Sequence, residues 1–402
     1  MIEVTEARNR VLDALTPLGT EVVPLASALG RILREPLTAP FDLPRFDNSA
    51  MDGYAVRAAD LIGATAESPL VLRQAAELPA GEAAREVVEQ GCCVRLFTGS
   101  AMPPGADAVV MQEDTQPGEQ PGLVLFLDGA KPWENVRLQG QDIRRGEVVS
   151  EAGTPVSVGR IALLGACGYA SVAVGARPRV ALLATGSELR EPGQTLAEGQ
   201  VHETNRIALA ALVARWGGEP LICPIVRDEL AATCAALDAA FGAADLVITS
   251  GGVSVGTRDY VKEAFSSLGG TIEFWKVSMR PGKPFVFGRW HDKFLFGLPG
   301  NPVSALSTFR ILVAPALLRL QGAIRCDPVP EQWPLAEALN NHGDRVHFAR
   351  VSVGEEGVRL SGAQSSDAFK SLAQSDGLVE IPPRTVFPAG QIVKVRRWSP
   401  DS

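Results

Sequence analysis

Lys276, Arg280 and Lys283 stand among three glycine-punctuated loops: TSGGVSVGTRDYVK from Thr249, FWKVSMRPGKPFVFG from Phe274 and FGLPGNPVSA from Phe296. Glycine lets backbone N–H groups come close to a ligand, and successive N–H groups form concave nests for anions. Cations beside such loops suit an anionic, phosphate-bearing ligand. Carboxylates accompany them: Glu188 follows a strand end, Asp228 sits at a strand-to-helix junction, and Asp259 lies just past the Gly-Gly loop. Hard cations such as Mg2+ take oxygen ligands and bridge to substrate phosphates. The pattern therefore points to metal-assisted phosphoryl or nucleotidyl chemistry. Helix capping competes with it, since Asp is a favoured N-cap; it is the stronger account of Asp228 and an equal one of Asp259. Lys276 also reads as a solvated strand residue, whereas Lys283, between Gly282 and Pro284, is harder to explain that way.

Other chemistries lose support. The chain has no GxxxxGK[ST] loop and no GxGxxG after the first strand of its alternating region, which removes the ordinary ATPase and dinucleotide readings. Its four histidines, His202, His291, His342 and His347, lack metal-ligand spacing, and no G-x-S-x-G elbow is present. The run Phe46–Ala55, FDNSAMDGYA, mixes small, polar and aromatic residues without amphipathic period and reads as a functional loop.

Strands alternating with helices must position these residues. Strands are expected at Arg179–Ala184, Pro220–Val226, Asp245–Thr249, Thr271–Val277, Phe285–Gly288 and Phe294–Gly297. Helices are expected at Asn205–Trp216, at Glu229–Phe241 behind a cap at Asp228, at Tyr260–Leu268, and at Val303–Leu320 with Pro302 in its first turn. Such alternation predicts a doubly wound, mostly parallel α/β sheet. Ligands of open parallel sheets sit beyond the carboxyl ends of the strands. That would bring Thr185–Glu188, Ser250–Gly252 and Gly297–Asn301 together on one edge.

Around this region the pattern changes. A helix is expected over residues 5–15 with Thr5 as N-cap, and another around Ala26–Leu33. Residues 69–128 are β-rich, and VHFARVSV, GLVEIP and QIVKVRRW predict a C-terminal β-barrel or sandwich. At 402 residues the chain should hold two to four domains. Hydrophobic content of 46% and charged content of 21% fit a globular protein, and a net charge of −8 argues against a general nucleic-acid binder. The six cysteines form no CxxC pair and read as reduced thiols. The first residues lack a basic stretch leading into an apolar one, and no run is expected to reach the length of a membrane span, so a cytoplasmic protein is expected.

The runs FDNSAMDGYAVR, FTGSAMPPGADAVVMQED, ATGSEL, TSGGVSVGTRDY, RPGKPFVFG and GLPGNPVSA, in this order over essentially the whole chain, resemble the molybdopterin molybdenumtransferase family, the bacterial MoeA type related to the E domain of gephyrin. The resemblance implies four parts. A discontinuous mixed N-terminal domain would span 1–45 and 140–177, with an inserted β-rich domain at 46–139. An α/β molybdopterin-binding domain would span 178–326 and a C-terminal β-barrel-like domain 327–402. It also implies a homodimer whose active sites combine the α/β domain of one subunit with the inserted domain of the other.

The implied reaction inserts molybdenum from molybdate into adenylylated molybdopterin and releases AMP with the help of Mg2+. Carried over by matching motif, Asp52, Thr98, Asp142, Glu188, Asp228 and Asp259 are implicated in catalysis, the last three with Mg2+. Ser250, Gly251 and Gly252 would cradle the pterin phosphate. Lys276 and Arg280 flank the RPGKP loop, and Lys283, Pro284, Ser304, Arg350 and Ser371 would form an oxyanion pocket. The molybdopterin adenylyltransferase and cofactor-receiving enzymes are implied partners. The chain departs from the family where lysine is common at Arg280, and where TGDEL is replaced by Thr185-Gly186-Ser187-Glu188-Leu189. A tungsten transferase and a non-catalytic molybdopterin-binding scaffold remain as alternatives.

Overall fold

Six strands carry the apolar runs of the alternating region: β1 (Arg179–Ala184), β2 (Glu219–Ile222), β3 (Leu246–Ser250), β4 (Thr271–Trp275), β5 (Val286–Trp290) and β6 (Lys293–Leu298). In the computed structural model, which describes residues 1–253 and 260–400, they form one sheet in the order β2-β1-β3-β6-β5-β4. Pairing is parallel from β2 to β6 and antiparallel at β5 and β4. Side chains of a strand alternate between the two faces. Val180, Leu182, Leu246, Ile248, Phe294 and Phe296 accordingly enter one core. Ala181, Leu183, Val247 and Leu295 enter another on the opposite face. Helices cover both faces, Asn205–Arg215 and Pro302–Leu320 on the first, Leu230–Ala243 and Val261–Ser267 on the second. Burial on both faces explains why these strands read as continuous apolar runs.

The sheet belongs to a unit made of Met1–Glu35, Ala152–Ile161 and Ala170–Ser402. Its first helix, Val4–Ala14, packs Val4, Ala7 and Val11 into the first core. Burying Val4 extends the helix back past Thr5, so Thr5 is not its cap; Glu3 precedes it without a side-chain cap. The helix expected at Ala26–Leu33 is absent. Only the turn Leu25–Ser27 winds up, Gly30 at φ 72° breaks the run, and Ile32 and Leu33 bridge to Pro155 and Val174.

Pro302–Leu320 is long and apolar enough to cross a membrane, which corrects the expectation that no run reaches that length, and 83% of it is buried in the protein. Its middle, Phe309–Val313, opens into a π turn that carries buried Arg310. The guanidinium reaches Asp327 at 3.1 Å and lies 4.7 Å above the Trp216 ring centroid. The same unit ends in a second sheet around Val346–Gly354, Gly377–Ile381 and Ile392–Arg397. Met279–Arg280 joins that sheet, with Arg280 opposite His347.

The other unit comprises Pro36–Glu151 and Ala162–Tyr169. Its six-stranded sheet surrounds Gly53–Val56 and Cys92–Leu96 and packs Val56, Leu72, Val110 and Phe126 in its core. A β-carbon at Gly53 would lie 2.0 Å from the Val110 carbonyl oxygen. Only glycine permits this approach, which sets the course of the MDGY run.

Candidate active site

The loops after β1, β3 and β6 open onto one cleft of about 640 Å³ in the larger unit. Thr185, Gly186 and Glu188 line it from the first, Ser250, Gly251 and Gly252 from the second, and Pro299, Gly300 and Asn301 from the third. The three loops of the sequence reading thus share one cavity, to which Pro284, Ser304 and Asp228 also contribute.

Asn205 ties the loops together. Its amide nitrogen donates to the Ser250 hydroxyl at 2.7 Å and to the Gly300 carbonyl at 2.7 Å. The Ser250 hydroxyl donates in turn to the Pro299 carbonyl at 3.3 Å. Asn205 owes its place to Glu203, whose buried carboxylate accepts the Asn205 and Arg206 N–H groups at 2.7 and 2.9 Å. Glu203 also pairs with the buried Arg206 guanidinium at 2.9 Å. Burial pushes that guanidinium down, but Glu191 and Glu203 outweigh it and hold it above its ordinary value. Asn205, Glu203 and the exposed Phe369, which also lines the cleft, were not singled out from sequence. Asn205 had one available signal, a polar ETN run at a helix start directly after a short strand.

Asp228 is not a helix cap. The helix begins at Leu230 behind Glu229, and the Asp228 carboxylate accepts the Ser187 N–H at 2.9 Å. Its own N–H donates to the Ser187 hydroxyl at 3.3 Å. The strand-end bridge of Thr185 with Val226 brings the two loops within reach, so tertiary pairing overrides local capping. Glu188 folds its carboxylate over Gly186, where a β-carbon would lie 2.8 Å from both oxygens. Glu188 and Asp228 therefore offer oxygen donors to one cleft. Among the described residues no three acidic, histidine or cysteine side chains group as a metal site. Two carboxylates still fit Mg2+, which keeps several waters and binds through one or two carboxylates plus phosphate. Asp259 lies outside the described residues.

The RPGKP loop borders the cleft through Pro284, while Lys283 is exposed at its tip. Lys276, Arg280 and Lys283 are not among the residues that line the cavity. Lys276 instead places its ammonium 3.8 Å from the centroid of the neighbouring Trp275 ring. Arg350 is fully buried. Its Nε donates to the Ser371 hydroxyl at 3.1 Å, its Nη2 donates to the carbonyls of Ala363 and Ser365, and its Nη1 has no partner among the described residues. The segment carrying these contacts reaches the cleft rim, where Asn301 donates to the Ser366 hydroxyl at 2.9 Å. Burial lowers the Arg350 guanidinium. Burial, then the charges of Arg280 and Arg350, push the His347 imidazole down to about 4.

The smaller unit holds Asp52, Thr98 and Asp142. Asp52 and Thr98 meet directly by hydrogen bonds. Asp142 is exposed on a separate turn, with its N–H on the Leu43 carbonyl at 3.0 Å.

Three family models match in chain order: MoeA N-terminal region (domain I and II) over residues 2–168, probable molybdopterin binding domain over 181–319, and MoeA C-terminal region (domain IV) over 332–398. A molybdopterin molybdenumtransferase of Haemophilus influenzae is 38% identical over 94% of this chain and 93% of its own. One of Nostoc sp. is 39% identical over 95% and 90%. The structure of a molybdopterin biosynthesis moeA protein from Pyrococcus horikoshii superposes with a TM-score of 0.84 at 31% identity, covering 98% of each chain. By its matched regions, its relatives and its fold, this chain belongs to the molybdopterin molybdenumtransferase family.

Proposed function

We propose that the chain transfers molybdenum from molybdate to the dithiolene of adenylylated molybdopterin and releases AMP, a step of molybdenum cofactor biosynthesis. The convergence of three strand-end loops on one cleft carries this reading. The Gly251–Gly252 turn and the Ser250 loop present backbone donors to the phosphate of the pterin, and Asn205 keeps that loop in register with Gly300.

Molybdate is a doubly charged tetrahedral oxyanion. Ser304, Lys283, Pro284, Arg350 and Ser371 are assigned to hold it, with Lys276 and Arg280 adding positive charge along the same loop. Charge-assisted donors suit such an anion. The Nη1 of Arg350, without a partner among the described residues, leaves one donor of that guanidinium for further bonding. Glu188 and Asp228 would hold Mg2+, with Asp259 as a third proposed ligand; the ion would neutralise charge on the pyrophosphate as it is cleaved.

Asp52, Thr98 and Asp142 are assigned to a neighbouring subunit's cleft in a homodimer. The four-part division at 1–45 with 140–177, 46–139, 178–326 and 327–402 is retained as a proposal, as are a cytoplasmic location and contacts with the adenylyltransferase and cofactor-receiving enzymes.

Purified protein given adenylylated molybdopterin, Mg2+ and molybdate should release AMP only when molybdate is present and should activate an apo-molybdoenzyme. AMP release that ignores molybdate, or none with intact substrate, overturns the proposal.

A further inference from the structure

We propose that Arg206 and Glu191 are positioning residues for the carboxylate of Glu188, joined in an ion pair that pins the chain just past it. The proposal rests on the reading that Glu188 holds Mg2+.

The run that carries Glu188 is fastened at two points. Before it, the Ser187 N–H donates to the Asp228 carboxylate at 2.9 Å. After it, the Glu191 carboxylate accepts from Arg206 Nη2 at 2.8 Å. Between these points lies a two-residue parallel pairing, Leu189 beside Val201 and Arg190 beside His202. The Val201 N–H donates to the Glu188 carbonyl at 3.1 Å, and the Glu203 N–H to the Arg190 carbonyl at 2.8 Å. So short a ladder has little stability of its own, and residues 191–199, which follow, are all exposed.

Arg206 supplies the fixed end of the ion pair. Its side chain is 2% exposed, that of Glu191 48%. Its Nε pairs with the buried Glu203 at 2.9 Å, and its Nη1 donates to the Cys223 carbonyl just past β2. A guanidinium is a rigid planar fork. Two of its directions are held inside the α/β layer, and the third reaches out to Glu191. A half-exposed ion pair contributes little to stability. What this one holds in place is the turn bearing Glu188, three residues earlier, which lines the cleft with Asp228. Metal ligands depend on such outer anchors for their orientation.

The test is titration of the full-length protein with Mn2+, a paramagnetic stand-in for Mg2+, read from the electron paramagnetic resonance of the free ion. Glu191→Ala should weaken Mn2+ binding about tenfold while melting stays within the range of a surface substitution. Glu191→Gln, whose oxygen still accepts from Nη2, should retain most of the affinity. Arg206→Lys, which keeps the charge but not the fork, should weaken binding as Glu191→Ala does. In a Glu188→Gln background, Glu191→Ala should add no further loss. Unchanged Mn2+ affinity in Glu191→Ala overturns the proposal alone. So does an equal loss in the Glu188→Gln background, which would put the effect on another ligand. Wild type that binds no Mn2+, or binding undiminished in Glu188→Gln, overturns it together with the reading beneath it.

Discussion

Asp52 takes two hydrogen bonds from a single residue: the Thr98 N–H donates at 2.7 Å and the Thr98 hydroxyl at 2.9 Å, both to the same carboxylate oxygen. The backbone bond, then the hydroxyl bond, hold the Asp52 carboxyl below its ordinary value of 3.8. Bonds to the charged form favour that form.

Asp52 should therefore stay ionised throughout the neutral and mildly acidic range. Thr98→Val removes the hydroxyl and keeps the N–H, so the Asp52 carboxyl should titrate higher, toward 3.8, while melting changes little. Carboxyl NMR titration of the two proteins checks it. An unmoved Asp52 resonance would show that the hydroxyl contributes nothing.

Asp228→Asn separates charge from architecture. The amide oxygen still accepts the Ser187 N–H, so stability should stay within about 0.5 kcal/mol, as for a surface change. Affinity for Mg2+ should fall at least about tenfold, and turnover should recover as Mg2+ is raised. A full-speed enzyme at low Mg2+ would remove Asp228 from the metal site.

Asn205→Ala leaves the Gly300 carbonyl and the Ser250 hydroxyl short of a donor beneath the cleft. Stability should drop by about 1–3 kcal/mol, the cost of an unsatisfied buried polar group. Urea denaturation measures it. A loss below a few tenths of a kcal/mol would mean that water or a neighbour replaces the amide.

His347 sets a pH window. Its folded value of about 4 lies below the ordinary 6.5, so the unfolded chain binds the extra proton first. The contribution is present above pH 6.5 and is lost as the pH falls toward 4. Denaturation of wild type and His347→Gln from pH 7.5 to 4 should diverge within that window and run parallel above it. Parallel curves throughout would mean that the folded imidazole titrates normally.

Much of the α/β layer was legible, because strands buried on both faces leave continuous apolar runs and helices closed by Gly217 or Gly269 leave plain stops. The loop cluster followed from strand direction alone. Local rules failed where a distant partner intervened. Asp228 looks like a cap until Ser187 arrives across a parallel pair, and Asn205 looks like an ordinary first helical residue until Gly300 closes over it. Leu33 reads as helical until Val174 claims it. The turn at Lys276, at φ +67°, is unmarked because lysine is not a residue that announces positive φ.

The excursion of Met279–Arg280 into the C-terminal sheet has a consequence for inheritance and engineering. The segment Met279–Phe285 is paired at one end with Val346 and His347 and runs at the other directly into β5. Replacing the C-terminal segment with that of a distant relative would re-aim Arg280 and drag Lys283 with it, so the two modules must be exchanged as a matched pair.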